Sequence, residues 1–245
     1  MVPENKINEF LTRMREAAGE NLESLILYGS AATGEYHPQY SNLNLLCILK
    51  DTSFPELSRL APVAEWWDKQ KHPTPLILTR RELQRSTDVF SIELLDIRDR
   101  HRVIYGEDVF AGLDIPMRMH RAQLEYELRE KLILLRERLL LVGGKKERQW
   151  DLMQRSFPAF ATLFRHALIA LGEKPAASKR EAIERLSQRL QLDVSAFHEL
   201  LDHREKKIDA RKLAIEDLFR RYLQTIEQVT AAVDTMLDSG EKPGS

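Results

Sequence analysis

The sequence predicts an α/β (α+β) mixed-sheet half followed by an all-α helical bundle. Three observations carry this. Short apolar runs alternate with amphipathic helical segments up to Pro116. After Pro116 every periodic segment is helical, with apolar residues three and four apart. The charge also changes there: residues 1–116 hold 13 Lys+Arg against 18 Asp+Glu, and the remainder 24 against 20, so an acidic half precedes a basic one. The expected domains are 1–116 and 117–238, with a disordered tail over 239–245.

Taken in order, residues 4–18 place Ile7, Phe10, Leu11 and Met14 on one helical face, and Gly19 is a natural stop. Ser24–Tyr28 is a buried strand ending at Gly29, and Asn42–Leu49 is a second. Residues 55–70 are helical by Leu57, Leu60, Ala64 and Trp67; Pro55 suits the first turn, and Pro62 predicts a kink or a break. Leu76–Leu78 is a third strand, the capping box Thr79-Arg80-Arg81-Glu82 opens a short helix, and His101–Gly106 is a last or edge strand. In the basic half, residues 117–142 are striped by Leu124, Leu128, Leu132, Leu135 and Leu139 and end at Gly143-Gly144. Residues 146–171 carry Trp150, Met153, Phe157, Phe160, Phe164 and Leu168, with a bend expected at Pro158. Helices follow from Ser178, from Ser195 as a cap, and from about Arg211; the last repeats Ile215, Leu218, Tyr222, Ile226, Val229, Val233 and Met236. Five amphipathic helices predict an antiparallel bundle.

Composition excludes several classes. A single cysteine, Cys47, excludes an internal disulfide and a multi-cysteine zinc site. No apolar run approaches the roughly 20 residues of a membrane helix, so no membrane partner is expected, and the absence of a signal-peptide pattern predicts a cytoplasmic protein. The basic pairs Arg220-Arg221, Lys206-Lys207 and Lys145-Lys146 alternate with acids and predict solvated faces, so nucleic acid is not an expected partner. His198 and His203 are five apart, about 140° round a helix, and should not share a metal. Gly29-Ser30-Ala31-Ala32-Thr33-Gly34 has the glycine spacing of a Walker A loop, but Glu35-Tyr36 stands where that loop needs Lys-Ser/Thr.

The chemistry-bearing segment is Leu27-Tyr28-Gly29-Ser30, eleven residues, then Asn42-Leu43-Asn44. A glycine permits close backbone approach, and a serine hydroxyl with neighbouring N–H groups can hold a phosphate, the more so if Ala31 begins a helix. This arrangement resembles the nucleotidyltransferase superfamily that includes kanamycin nucleotidyltransferase and polymerase-β-like enzymes. The family pattern is Gly-Ser, about ten residues, then Asp-x-Asp on the next strand. The resemblance implies a nucleotide ligand at Gly29 and Ser30 and, for an active enzyme, NTP and Mg2+ as cofactors. It also marks Asn42 and Asn44 as the slots where the family has its acids. Side chains two apart on a strand share a face, so two carboxylates there can hold Mg2+ beside a triphosphate.

Asn42 and Asn44 keep the spacing without the charge. The segment corresponding to the family's third acid, Thr74–Thr79, has no carboxylate. Glu93 and Asp96 are the acids that could replace it, although a structural role is the more natural reading for both. Loss of the metal-holding charge implies a rate loss of at least about a thousandfold. The sequence therefore predicts a catalytically impaired nucleotide-binding or regulatory module with no metal ligands of its own. The alternatives are an active nucleotidyltransferase acting on a hydroxylated small molecule or protein, and a structural scaffold forming a homo-oligomer through the bundle.

Overall fold

The computed structural model describes residues 2–34, 36 and 41–240, with side chains through 235. His37, the Met236 side chain and residues 241–245 lie outside the described residues. Two compact units divide at Met117/Arg118.

The N-terminal unit runs α1 (Glu4–Ala18), β1 (Leu22–Tyr28), a 3-10 turn at Gly29–Ala31, β2 (Asn44–Leu49), α2 (Phe54–Lys69), β3 (Leu76–Thr79), α3 (Arg80–Arg85), α4 (Ser91–Asp99) and β4 (His101–Gly106). The sheet order is β3-β2-β1-β4. β1 pairs antiparallel with β2 and β4, and β2 pairs parallel with β3 across the α2 connection. Alternation sorts the side chains to two faces. Leu25, Leu27, Leu43, Leu45 and Cys47 pack with Phe10 and Met14 of α1 and Trp67 of α2. Ile26, Leu46 and Ile48 pack on the other face with Leu83 of α3 and Leu94, Leu95 and Ile97 of α4.

Thr79 and Glu82 form the expected capping box, each side chain bonded to the other residue's backbone N–H. Several boundaries differ from the sequence reading. β2 begins at Asn44, so Asn42 precedes the strand, because the ladder with β1 starts at the Tyr28–Asn44 pair. Pro62 lies inside a continuous α2 and does not divide it. Segment 91–99, in which Glu93 and Asp96 lie, is a helix; its apolar residues come almost in a row, Ile92, Leu94, Leu95 and Ile97, which hides a helical period.

Gly106 closes β4 with φ +77°, and a Cβ on it would sit 2.0 Å from the Glu23 carbonyl oxygen of the neighbouring strand. Gly106→Ala is therefore expected to cost at least about 3 kcal/mol, through positive φ and a clash with rigid backbone. Urea unfolding monitored by circular dichroism measures this; a loss under about 1 kcal/mol would show that the strand end yields.

The C-terminal unit is five helices among the described residues: α5 (His120–Val142), α6 (Lys146–Ala170), α7 (Lys179–Leu190), α8 (Ser195–Arg204) and α9 (Ile215–Gly240). Its core is aromatic. Phe157, Phe160, Phe164, Phe197 and Tyr222 are fully buried, with Phe197 4.7 Å from Phe164 and 4.8 Å from Tyr222 between ring centres. The Tyr222 hydroxyl is satisfied by Ser156 Oγ at 3.0 Å. Pro158 lies within α6, which continues through it. Ser178 caps α7 by accepting the Glu181 N–H at 3.1 Å. Ser195 does not cap α8: it is the helix's first residue, and the Asp193 carboxylate accepts its N–H at 2.9 Å. α9 begins at Ile215, four residues later than expected, after a 3-10 turn over Ala210–Lys212. It ends at Gly240, so Ser239 and Gly240, predicted as tail, are helical.

Candidate functional site

The turn and the second slot, Asn44, meet. β1 delivers Gly29 at its end with φ +76°, a conformation that suits glycine. The Gly29 N–H is held by the Arg100 carbonyl at 2.9 Å, and the Ala32 N–H closes the turn on the Gly29 carbonyl at 3.0 Å. A Cβ at Gly29 would lie 3.2 Å from Asn44 Nδ2, so the amide of Asn44 sits directly over the glycine. Asn44 is half-buried and Asn42 exposed, with buried Leu43 between them. Ala31 does not begin a helix: Gly29–Ala31 is one 3-10 turn, followed by a hydrogen-bonded turn rather than by an α-helix. An anion at this turn would thus meet the half-buried Ser30 without a helix dipole behind it.

Pairing across the sheet adds residues that no local motif signals. Tyr28 stands opposite Asn44 on one side and His101 of β4 on the other. Residues directly opposite in antiparallel strands share a face, so Asn44, Tyr28 and His101 form a row. That face is the one covered by α3 and α4, since Tyr28 packs against their cluster. Burial pushes the Tyr28 hydroxyl above its ordinary pKa. The His101 ring is fixed by the Arg98 carbonyl at 2.8 Å and by Asp108 Oδ1 at 3.1 Å, both acceptors, and stacks 5.2 Å from Phe110. In sequence, His101 is marked only as the start of the last or edge strand.

Of the remaining candidates, Glu93 is exposed and Asp96 half-buried on α4. Among the described residues, no three His, Cys, Asp or Glu side chains cluster as a metal site would require. The donor set at the turn and slots is a hydroxyl and two amides. It does not fit a Mg2+ ion carrying a triphosphate, which calls for carboxylates. Cys47 is buried on the opposite sheet face, and burial pushes its thiol up to about 12. In the helical unit, His198 accepts from Arg180 at 3.3 Å, while His203 packs edge-on to Trp150. Arg220 and Arg221 bond to Asp217, Arg221 also to Glu199, and Lys207 to Glu205. No described helix is long and apolar enough to cross a membrane.

Residues 7–100 match the family model described as "Nucleotidyltransferase domain". No curated protein matches the sequence. Among solved structures, spectinomycin adenyltransferase AAD(9) from Enterococcus faecialis, solved with ATP and spectinomycin, superposes with a TM-score of 0.60 at 15% identity, covering 94% of this chain and 99% of its own. A toxin-antitoxin structure with AMP-PNP aligns at 0.35 and 17% identity over 52% of this chain and 97% of its own. A nucleotidyltransferase-like protein from Exiguobacterium sibiricum aligns at 0.31 and 13% over 95% and 75%. The adenyltransferase likeness establishes the shared fold, a mixed sheet with helices followed by a helical region. Residues 7–100, which hold the Gly-Ser turn and the Asn42 and Asn44 slots, thus match the nucleotidyltransferase domain in sequence, and the chain shares the fold of the adenyltransferase.

Proposed function

We propose that the N-terminal unit binds a nucleoside triphosphate at the Gly29–Ser30 turn and serves as a binding or regulatory module with little or no nucleotidyl transfer. The observation that carries this reading is the contact of Gly29 with Asn44: the phosphate turn and the metal slot adjoin, and the slot presents an amide. An amide oxygen can face a phosphate-bound cation, but it neutralises none of its charge, and its NH2 group can instead donate directly to a phosphate oxygen. Binding of this kind depends on Ser30, the turn and Asn44, with no step through a metal.

Calorimetric titration with ATP tests it. The expected result is binding that Mg2+ changes by less than about threefold, with no pyrophosphate released, and that Gly29→Val abolishes by placing carbons against Asn44. Tight Mg2+-dependent binding followed by pyrophosphate release would refute the impairment.

One observation favours a second reading, an active enzyme transferring a nucleoside monophosphate to a hydroxylated acceptor. α4 packs on the sheet face that Asn44 shares, so Glu93 or Asp96 is the acid such an enzyme would use. Turnover lost in Asp96→Asn or Glu93→Gln would then decide for it. For localisation, the reading remains a cytoplasmic protein, supported by the composition alone.

A further inference from the structure

Helix α5 has two apolar faces. Leu124, Leu128, Leu132 and Leu135 are buried in the bundle. On the opposite side Tyr126, Ile133 and Leu140 are 63%, 54% and 83% exposed. They recur every seven residues, and exposed Met119, just before the helix, continues the series. A seven-residue step drifts only about 20° round an α-helix, so these side chains form one line about 30 Å long. The line has unlike edges: Arg129 and Arg136 on one side, Glu130 and Glu137 on the other. Beyond the glutamates lie Leu134 and Leu141, exposed by 40% and 81%.

This edge pattern distinguishes between partners. A two-fold axis parallel to the helix sets the acidic edge of each copy against the basic edge of the other. A two-fold axis perpendicular to it sets acid against acid and base against base. The arginines are held in place within the chain, Arg129 by Glu125 at 2.6 Å and Asp234 at 2.7 Å, and Arg136 by Glu227 at 2.7 Å. Each guanidinium has five donors, enough to take one further carboxylate from a neighbouring copy. The arginine stems would cover Leu134 and Leu141. Five exposed apolar side chains, on the order of 100 Å² each, give a pair about 1,000 Å², the size a specific interface should reach.

We propose that two copies of this chain associate through α5, in parallel, about a two-fold axis running along Tyr126, Ile133 and Leu140. Single cysteines read the geometry directly, because Cys47 is fully buried and contributes no surface thiol. In the parallel pair each of these residues faces its own copy within the roughly 7 Å that a disulfide spans. Mild oxidation of full-length Tyr126→Cys and Ile133→Cys should therefore give covalent dimers in both. In light scattering after size exclusion, the wild-type chain should run as a dimer at micromolar concentration, and Ile133→Glu should run as a monomer with an unchanged melting temperature. Cross-linking at 133 alone would indicate an antiparallel pair and overturn the proposal. So would a wild-type monomer at every concentration up to about 100 μM, which would leave the face to a different protein.

Discussion

Asn42→Asp combined with Asn44→Asp should raise the Mg2+-dependent affinity for ATP by about ten- to a hundredfold, the span of one to two charge-assisted metal contacts. The change is nearly isosteric, so the fold should survive it. What it adds is two negative charges where the Asn44 amide already lies over Gly29. Charges a few ångströms from a divalent ion in a partly buried site interact far more strongly than in water. Asn44→Asp alone should supply most of the gain, since Asn44 is fixed by the strand ladder whereas Asn42 lies before it, exposed. Calorimetry with and without Mg2+ is the measurement. An unchanged affinity would mean that the surroundings of the slots no longer accept a triphosphate. Strong Mg2+ dependence already in the wild type would mean that charge is being supplied from elsewhere, and the impaired-module reading would fall.

Acidification should destabilise the helical unit well before its carboxylates titrate. His120, the first residue of α5, and His166 of α6 are both fully buried, with His120 Nε2 3.0 Å from His166 Nδ1. Burial, then the neighbouring His166 and Arg121, pull the His120 pKa down to about 4. A histidine whose folded pKa lies below its unfolded value of about 6.5 gives its full stability above 6.5 and loses it as pH falls toward 4. At pH 5 the expected loss is about 2 kcal/mol. The acids whose pKa values are lowered by their partners, such as Asp193 and Asp217, lose their contributions at lower pH. Urea unfolding at pH 7.5 and 5.0, repeated on His120→Phe, is the test. The variant should show much less pH dependence, and an equal slope in both would assign the acid lability to other groups.

How much of this was legible in the sequence depends on whether the cause lay close along the chain. Gly19 after α1, the Thr79–Glu82 box and the leucine stripe of α5 are local signals, and each marks what it predicts. The Gly-Ser turn and its two slots were readable because the spacing is short enough to be a motif. The row Asn44–Tyr28–His101 was not, since β4 joins β1 from 73 residues away and nothing near His101 announces its neighbour. α4 was hidden by its unbroken apolar run, and the α8 cap by the presence of a serine where the neighbouring aspartate does the bonding. The outward line on α5 is masked in sequence because the buried leucines alone already account for an amphipathic helix.

The sheet has two borders, and neither invites growth. β3 has four residues and passes directly into α3, while β4 bears Arg102, which is bonded to Glu4 of α1 at 2.8 Å, and its register against β1 is broken between Leu25 and Ile26. Short, charged and irregular margins of this kind are poor templates for an incoming strand. The folded chain should consequently resist fibril-type accretion, and concentrated samples should remain clear of thioflavin-positive material.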